Sequence, residues 1–223
     1  MISADTAWGE LRPVFLDSIQ QTLVMVSLTL LIGGLLGLAL GVLLHTTRSG
    51  GILAHRPVYT VLNVLVNLVR PIPFIILITA IGPLTMKAMG TTIGIKAATF
   101  ALIVAATFGI SRIVEQNLVS VDPGVVEAAQ SMGASPWRII RTVLVPEALG
   151  PLILGFTFAF VAVVDMSAAA VAINGGGLGQ FAISYGYQRF NWGVTWAAVA
   201  AIVVIVQVAQ FAGLYAARRV MRR

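Results

Sequence analysis

Long charge-poor apolar runs, separated by short polar joints, set the pattern of this chain. Ser18 to Thr47 contains no Asp, Glu, Lys or Arg, and Thr91 to Ser111 carries one charge, Lys96, near an end where its ammonium can snorkel. Ala148 to Ala172 holds a single acid, Asp165, and Gly193 to Ala217 holds none. A helix crosses the hydrocarbon core in roughly 20 mostly apolar residues, so these runs predict four spans. A fifth run covers roughly 60–84. Its start is left open: Asn63, Asn67 and Arg70 share one helical face, and Pro71 and Pro73 interrupt it. We read 57–70 as an interfacial helix with the span proper starting near Pro71, because proline suits a helix start. The pattern predicts an all-α membrane protein of five transmembrane helices.

The segment 122–146 differs from everything around it. Asp122 can cap a helix that has Pro123 in its first turn, and Gly133 can end that helix in a left-handed conformation. Ser135 and Pro136 start a second short helix, which Pro146 ends or kinks. Val125, Ala128, Ala129 and Met132 fall on one face of the first, and Ile139, Ile140, Val143 and Leu144 form the stripe of the second. A polar loop with this much internal order, set between spans, suggests a docking surface.

Charge orients the chain. Arg48, Arg56, Arg112, Arg138, Arg141, Arg218, Arg219, Arg222 and Arg223 fall on the side of the C-terminus, against Arg12, Lys87, Lys96 and Arg189 on the other. The positive-inside rule then puts the C-terminus and the 112–146 loop in the cytoplasm and the N-terminus outside. Asp5, Glu10 and Asp17 stand where a signal peptide would be basic, so none is expected. The basic residues are spread over loop ends, which removes nucleic acid as the reason for the net charge of +6. There is no Cys, and His45 and His55 lack metal-ligand spacing. No phosphate-binding loop of the Gly-Lys-Ser/Thr type occurs. Gly175-Gly176-Gly177-Leu178-Gly179 lacks the preceding strand such a loop needs, and reads as a hinge or re-entry at the outer mouth.

Glu127, Ala128, Ala129, Gly133 and the Val145-Pro146 pair, in that register, resemble the cytoplasmic "EAA" loop of ABC importer permeases. Arg70-Pro71-Ile72-Pro73-Phe74, Pro146-Glu147-Ala148-Leu149, Gly175 to Gln180 and Tyr185-Gly186-Tyr187 narrow the resemblance to the permeases of bacterial methionine importers. It runs from about residue 18 to 220. Pro71, where that group usually has Ser, and Asp165 depart from the pattern.

The resemblance implies a type I ABC importer transmembrane domain in the bacterial cytoplasmic (inner) membrane, working as a homodimer. It implies partners too: two ABC ATPase subunits inside, an extracytoplasmic substrate-binding lipoprotein outside, and membrane lipid around the spans. ATP and Mg would belong to the ATPase, with no cofactor on this chain and no catalysis by it. The expected organisation is an outer segment 1–17, a transmembrane domain 18–217 with its coupling loop at 112–146, and a basic cytoplasmic tail 218–223.

Glu127, Ala128, Ala129, Gly133, Ser135 and Pro146 are the expected coupling residues. Asp165, Met166, Ser167 and Asn174 are candidates for the substrate path. An intramembrane acid costs roughly 2.5–3.5 kcal/mol on insertion scales and therefore faces protein or a wet path. For Asp165, contact with a substrate ammonium and pairing with a basic residue both stand open. Gly33, Gly37 and Gly41 repeat at a spacing that lets helices pack closely in lipid. Other functions also stay open: a permease of the same superfamily for glycine betaine, choline or another amino acid, an ATP-independent transporter or channel, or a membrane anchor of an enzyme complex.

Overall fold

A computed structural model describes residues 4–221, of which all the regular structure is helical. In chain order the helices are α1 (Ala4–Leu28), α2 (Gly34–Thr47), α3 (Arg56–Val69), α4 (Phe74–Ala80), α5 (Gly82–Met89) and α6 (Gly94–Val119). They continue with α7 (Pro123–Ser131), α8 (Pro136–Ile139), α9 (Val145–Glu147), α10 (Leu149–Ala169), α11 (Gly177–Phe181) and α12 (Trp192–Met221).

Four stretches are long and apolar enough to cross a membrane: Trp8–Thr47, Gly94–Val119, Leu149–Ile173 and Trp192–Met221. The first runs through α1 and α2 across a π turn at Thr29–Gly33. At 1.5 Å per residue its 40 residues extend about 60 Å, twice the thickness of the hydrocarbon core. The fifth span exists only if α3 and α4 count together. They are about 21 and 10 Å long, and neither bridges the core alone. The helix does break at the Arg70–Pro73 joint, because Pro71 and Pro73 each lack an N–H and disfavour helix in the residue before them. The segment 112–119, expected as loop, is the continuation of α6; the polar loop begins at Ser120.

The chain divides into two compact units, one built from the described residues of Met1–Ile32, Pro73–Val104 and Phe160–Val208, the other from those of Gly33–Ile72, Ala105–Ala159 and Ala209–Arg223. In the first unit, Met25, Ile78, Ala97, Ala98, Ala101, Leu102, Ala170 and Ile173 form one buried cluster. Leu178, Phe181, Val194 and Ala198 form another, to which Leu11, Val14 and Phe15 of α1 add. On α12, Val203, Val204 and Val208 stay exposed, as suits a helix that faces lipid.

In the second unit, α2 and α6 meet at glycine. A Cβ on Gly41 would lie 2.5 Å from the Ser111 carbonyl oxygen and 2.6 Å from Val114 Cβ, and one on Gly37 would lie 2.8 Å from Ile110 Cβ. Gly37 and Gly41 of the small-residue repeat therefore do what their spacing suggests, and Gly34, against Phe156, joins them. A second link is polar. The Arg112 guanidinium donates to Glu115 (2.5 Å), to Asn63 Oδ1 (2.8 Å) and to Asn67 Oδ1 (2.5 Å), which ties α3 to α6. Arg70, on the face expected for Asn63 and Asn67, is exposed, as Asn67 is.

Candidate functional site

The two groups of expected site residues lie in different units, and each is described within its own. The first is the elbow at 122–146. The Asp122 carboxylate accepts from the Gly124 N–H at 2.8 Å, capping α7, with Pro123 in the first turn. Gly133 has φ of 78°, and its N–H donates to the Gln130 carbonyl while that of Ala134 donates to Ala129. Those two bonds satisfy the last carbonyls of α7 and turn the chain. Ser135 is extended and starts α8, with no hydrogen bond from its hydroxyl to the helix end. Pro146 does not stop the second helix abruptly. The chain passes through a π turn at Ile140–Leu144 and the short α9 before α10 begins at Leu149, which absorbs the missing proline N–H.

Burial sorts the elbow into an inner and an outer side. Ile139, Ile140 and Leu144 are buried, as their spacing predicts. On α7 only Ala129 is buried, at 4% exposure. Val125, Ala128 and Met132 point outward, with Met132 81% exposed, and so does Trp137 of α8 at 66%. The single apolar face expected for α7 is thus split: Ala129 packs inward and its apolar neighbours are left uncovered. Arg141 holds its guanidinium 5.7 Å from the Trp137 ring centroid, steadying the indole in the open. Glu127 and Gln130 line a small cavity of about 170 Å³ with His45, Arg48 and the turn at Gly50 and Gly51.

The substrate-path candidates do not converge. Asp165 is exposed on α10 and forms no hydrogen bond or ion pair among the described residues. Met166 packs against the buried cluster around Ala98 and Leu102. Ser167 is buried and its hydroxyl donates to the Val164 carbonyl at 2.7 Å, so its polarity is used within its own helix. Asn174 adopts a left-handed conformation, with φ of 53°, and lines a larger cavity of about 580 Å³ beside the glycine loop.

That loop is anchored, not slack. Gly176 and Gly177 both have φ of 76°. Their N–H groups donate to Gln180 Oε1 and Gln21 Oε1, and the Leu178 N–H donates to Thr22 Oγ1, each at 2.8 Å. Sequence reasoning saw neither anchor. The one local signal was the spacing of Asp17 and Gln21, four apart on one helix face, which do bond at 2.5 Å.

Comparison with known proteins gives a consistent answer. A family described as binding-protein-dependent transport system inner membrane component matches residues 33–222. A probable D-methionine transport system permease protein of Vibrio cholerae is 42% identical over 210 residues, covering 94% of this chain and 93% of its own. One of the same description from Pasteurella multocida is 40% identical over 199 residues, 89% of this chain and 92% of its own. Among solved structures, a chain of the MetNI methionine ABC transporter in an inward-facing conformation superposes with a TM-score of 0.92 at 38% identity, covering 95% of this chain and 98% of that one.

Proposed function

We propose, for a chain that belongs to the binding-protein-dependent transport system inner membrane components, the role of permease subunit in an ATP-driven importer of methionine. The observation that carries this reading is the elbow of α7 and α8. It is stiffened by the Asp122 cap and the Gly133 turn, and it leaves Val125, Met132 and Trp137 uncovered. An uncovered apolar patch on an ordered loop between spans calls for a protein partner. In this reading the partner is an ABC ATPase, which carries ATP and Mg, and two copies of it serve two copies of this chain. Glu127, Ala128, Ala129, Gly133, Ser135 and Pro146 transmit closure of the ATPase pair to the spans through the buried Ile139, Ile140 and Leu144 stripe.

Topology follows from the distribution of arginine. The elbow and C-terminus lie in the cytoplasm and the N-terminus outside, where a substrate-binding lipoprotein delivers its ligand. Methionine is favoured over glycine betaine or choline by the names of the relatives above. Asp165 serves the path: a carboxylate at membrane depth without a partner among the described residues needs water, a second copy or a substrate ammonium.

The test is uptake of labelled methionine by proteoliposomes holding the permease, its ATPase and its binding protein. Met132→Asp with Trp137→Asp is expected to abolish ATPase co-purification and uptake together. Normal co-purification and uptake in the double variant would overturn the coupling role, and uptake that persists without the ATPase would point to a secondary transporter.

A further inference from the structure

The cavity of about 580 Å³ lies wholly within one unit and shares no lining residue with the elbow. Its size falls in the range of small-molecule sites, roughly 300–1,000 Å³. One wall is the pinned glycine loop, whose backbone is fixed by Gln21 and Gln180. Val14, Ile95 and Phe181 supply an apolar wall. Tyr185 lines it as well, with the Arg189 guanidinium 4.9 Å from its ring centroid.

Two opposite charges share this space, Asp17 from α1 and Lys96 from the start of α6. Among the described residues no ion pair joins them, so neither neutralises the other. Asp17 and Lys96 are both exposed, so the cavity is open to a solute. Asp17 accepts from the neutral Gln21 amide, which leaves its charge uncompensated, and charges of both signs in an amphipathic cavity of this volume complement a solute that carries both signs itself.

We propose that this cavity binds a free amino acid in its zwitterionic form. Lys96 takes the carboxylate, Asp17 takes the ammonium, and the side chain lies against Val14, Ile95 and Phe181. The proposal deepens the importer reading and rests on it. It adds a holding site in the permease, apart from Asp165 and from the binding protein.

The experiment measures binding of labelled methionine to the assembled permease–ATPase complex, without binding protein, in nanodiscs of phosphatidylcholine. Saturable binding is expected, weakened about tenfold or more by Lys96→Met and by Asp17→Asn, since loss of one charge contact of about 1.4 kcal/mol is tenfold. Both side chains are exposed, and asparagine keeps an acceptor oxygen for the Gln21 amide, so the variants keep the fold. The decarboxylated analogue 3-methylthiopropylamine is expected to bind weakly and to lose nothing further in Lys96→Met. Wild-type binding in both variants overturns the proposal. So does loss of methionine binding when phosphatidylethanolamine is added, which would make a lipid headgroup the occupant. If another amino acid binds in place of methionine, with the same dependence on Asp17 and Lys96, the cavity stands and the methionine assignment falls. If no amino acid binds while proteoliposomes still import methionine, the importer reading stands and the cavity falls.

Discussion

Replacing Arg112 tests the link between α3 and α6 most directly. Its guanidinium serves Glu115, Asn63 and Asn67, and the Arg112 and Glu115 side chains are only 16% and 9% exposed. Exposed ion pairs contribute about 0–1 kcal/mol, whereas removing one member of a buried pair costs about 3–5 kcal/mol. This pair is largely buried, yet Asn67 beside it is exposed, so Arg112→Met is expected to cost about 2–3 kcal/mol. Most of that is Glu115 left charged without a partner. Arg112→Met combined with Glu115→Met removes both charges and leaves Asn63 and Asn67 bonded to each other, as they already are at 3.3 Å. The double variant should therefore return to within about 1 kcal/mol of the parent, an interaction energy of about 2 kcal/mol. The assay is thermal denaturation of the assembled complex in detergent, read as loss of the monodisperse peak. About 2–4 °C per kcal/mol places the single variant roughly 4–12 °C lower. Additive losses in the double variant would show that the two groups do not depend on each other and would refute the reasoning.

Other substitutions probe the remaining features. Gly133→Val puts a β-branched residue at φ of 78°, a strain of about 1–2 kcal/mol or more. It should uncouple ATP hydrolysis from uptake while the protein still inserts, and unchanged transport per ATP would argue against a lever role. Gly41→Val drives a side chain into the Ser111 carbonyl and Val114. Overpacking of about 1–3 kcal/mol should appear as lower yield and thermostability, and a neutral outcome would mean that α2 and α6 do not touch there. Asp165→Asn keeps the shape of the side chain and removes its charge. Raised KM for uptake with normal ATPase coupling is expected, and unchanged uptake kinetics would remove Asp165 from the path.

The long spans were legible because charge-free length is a property of the sequence alone. The elbow was legible because caps act locally: Asp122 reaches two residues on, and Gly133 needs only its own dihedral freedom. Contacts distant in sequence were not. The spacing of Asn63 and Asn67 shows that they share a face, yet their partner Arg112 lies 49 and 45 residues away. Arg70, three residues beyond Asn67 on the same expected face, takes no part in that bonding and is exposed. Periodicity likewise grouped Val125, Ala128, Ala129 and Met132, but a period says nothing about which neighbour covers the face. Here only Ala129 finds cover within the chain. Ser167 looked like a path residue because it is polar and close to Asp165; its bond to the Val164 carbonyl explains how a serine is carried through a span with nothing else to bind.

The anchors of the glycine loop bear on synthesis. Gln21 and Thr22 precede Gly177 and Leu178 by 156 residues, so their acceptor oxygens must wait for donors not yet made. At roughly 5–20 residues per second that wait is on the order of 10–30 s. During it the first helix stands with the Gln21 and Thr22 acceptor oxygens unserved by the loop, while the Gln21 amide N–H can already serve Asp17, four residues before it. A chain cut short before residue 176 would keep this joint unfinished for good, because no other donor to these two oxygens is found among the described residues.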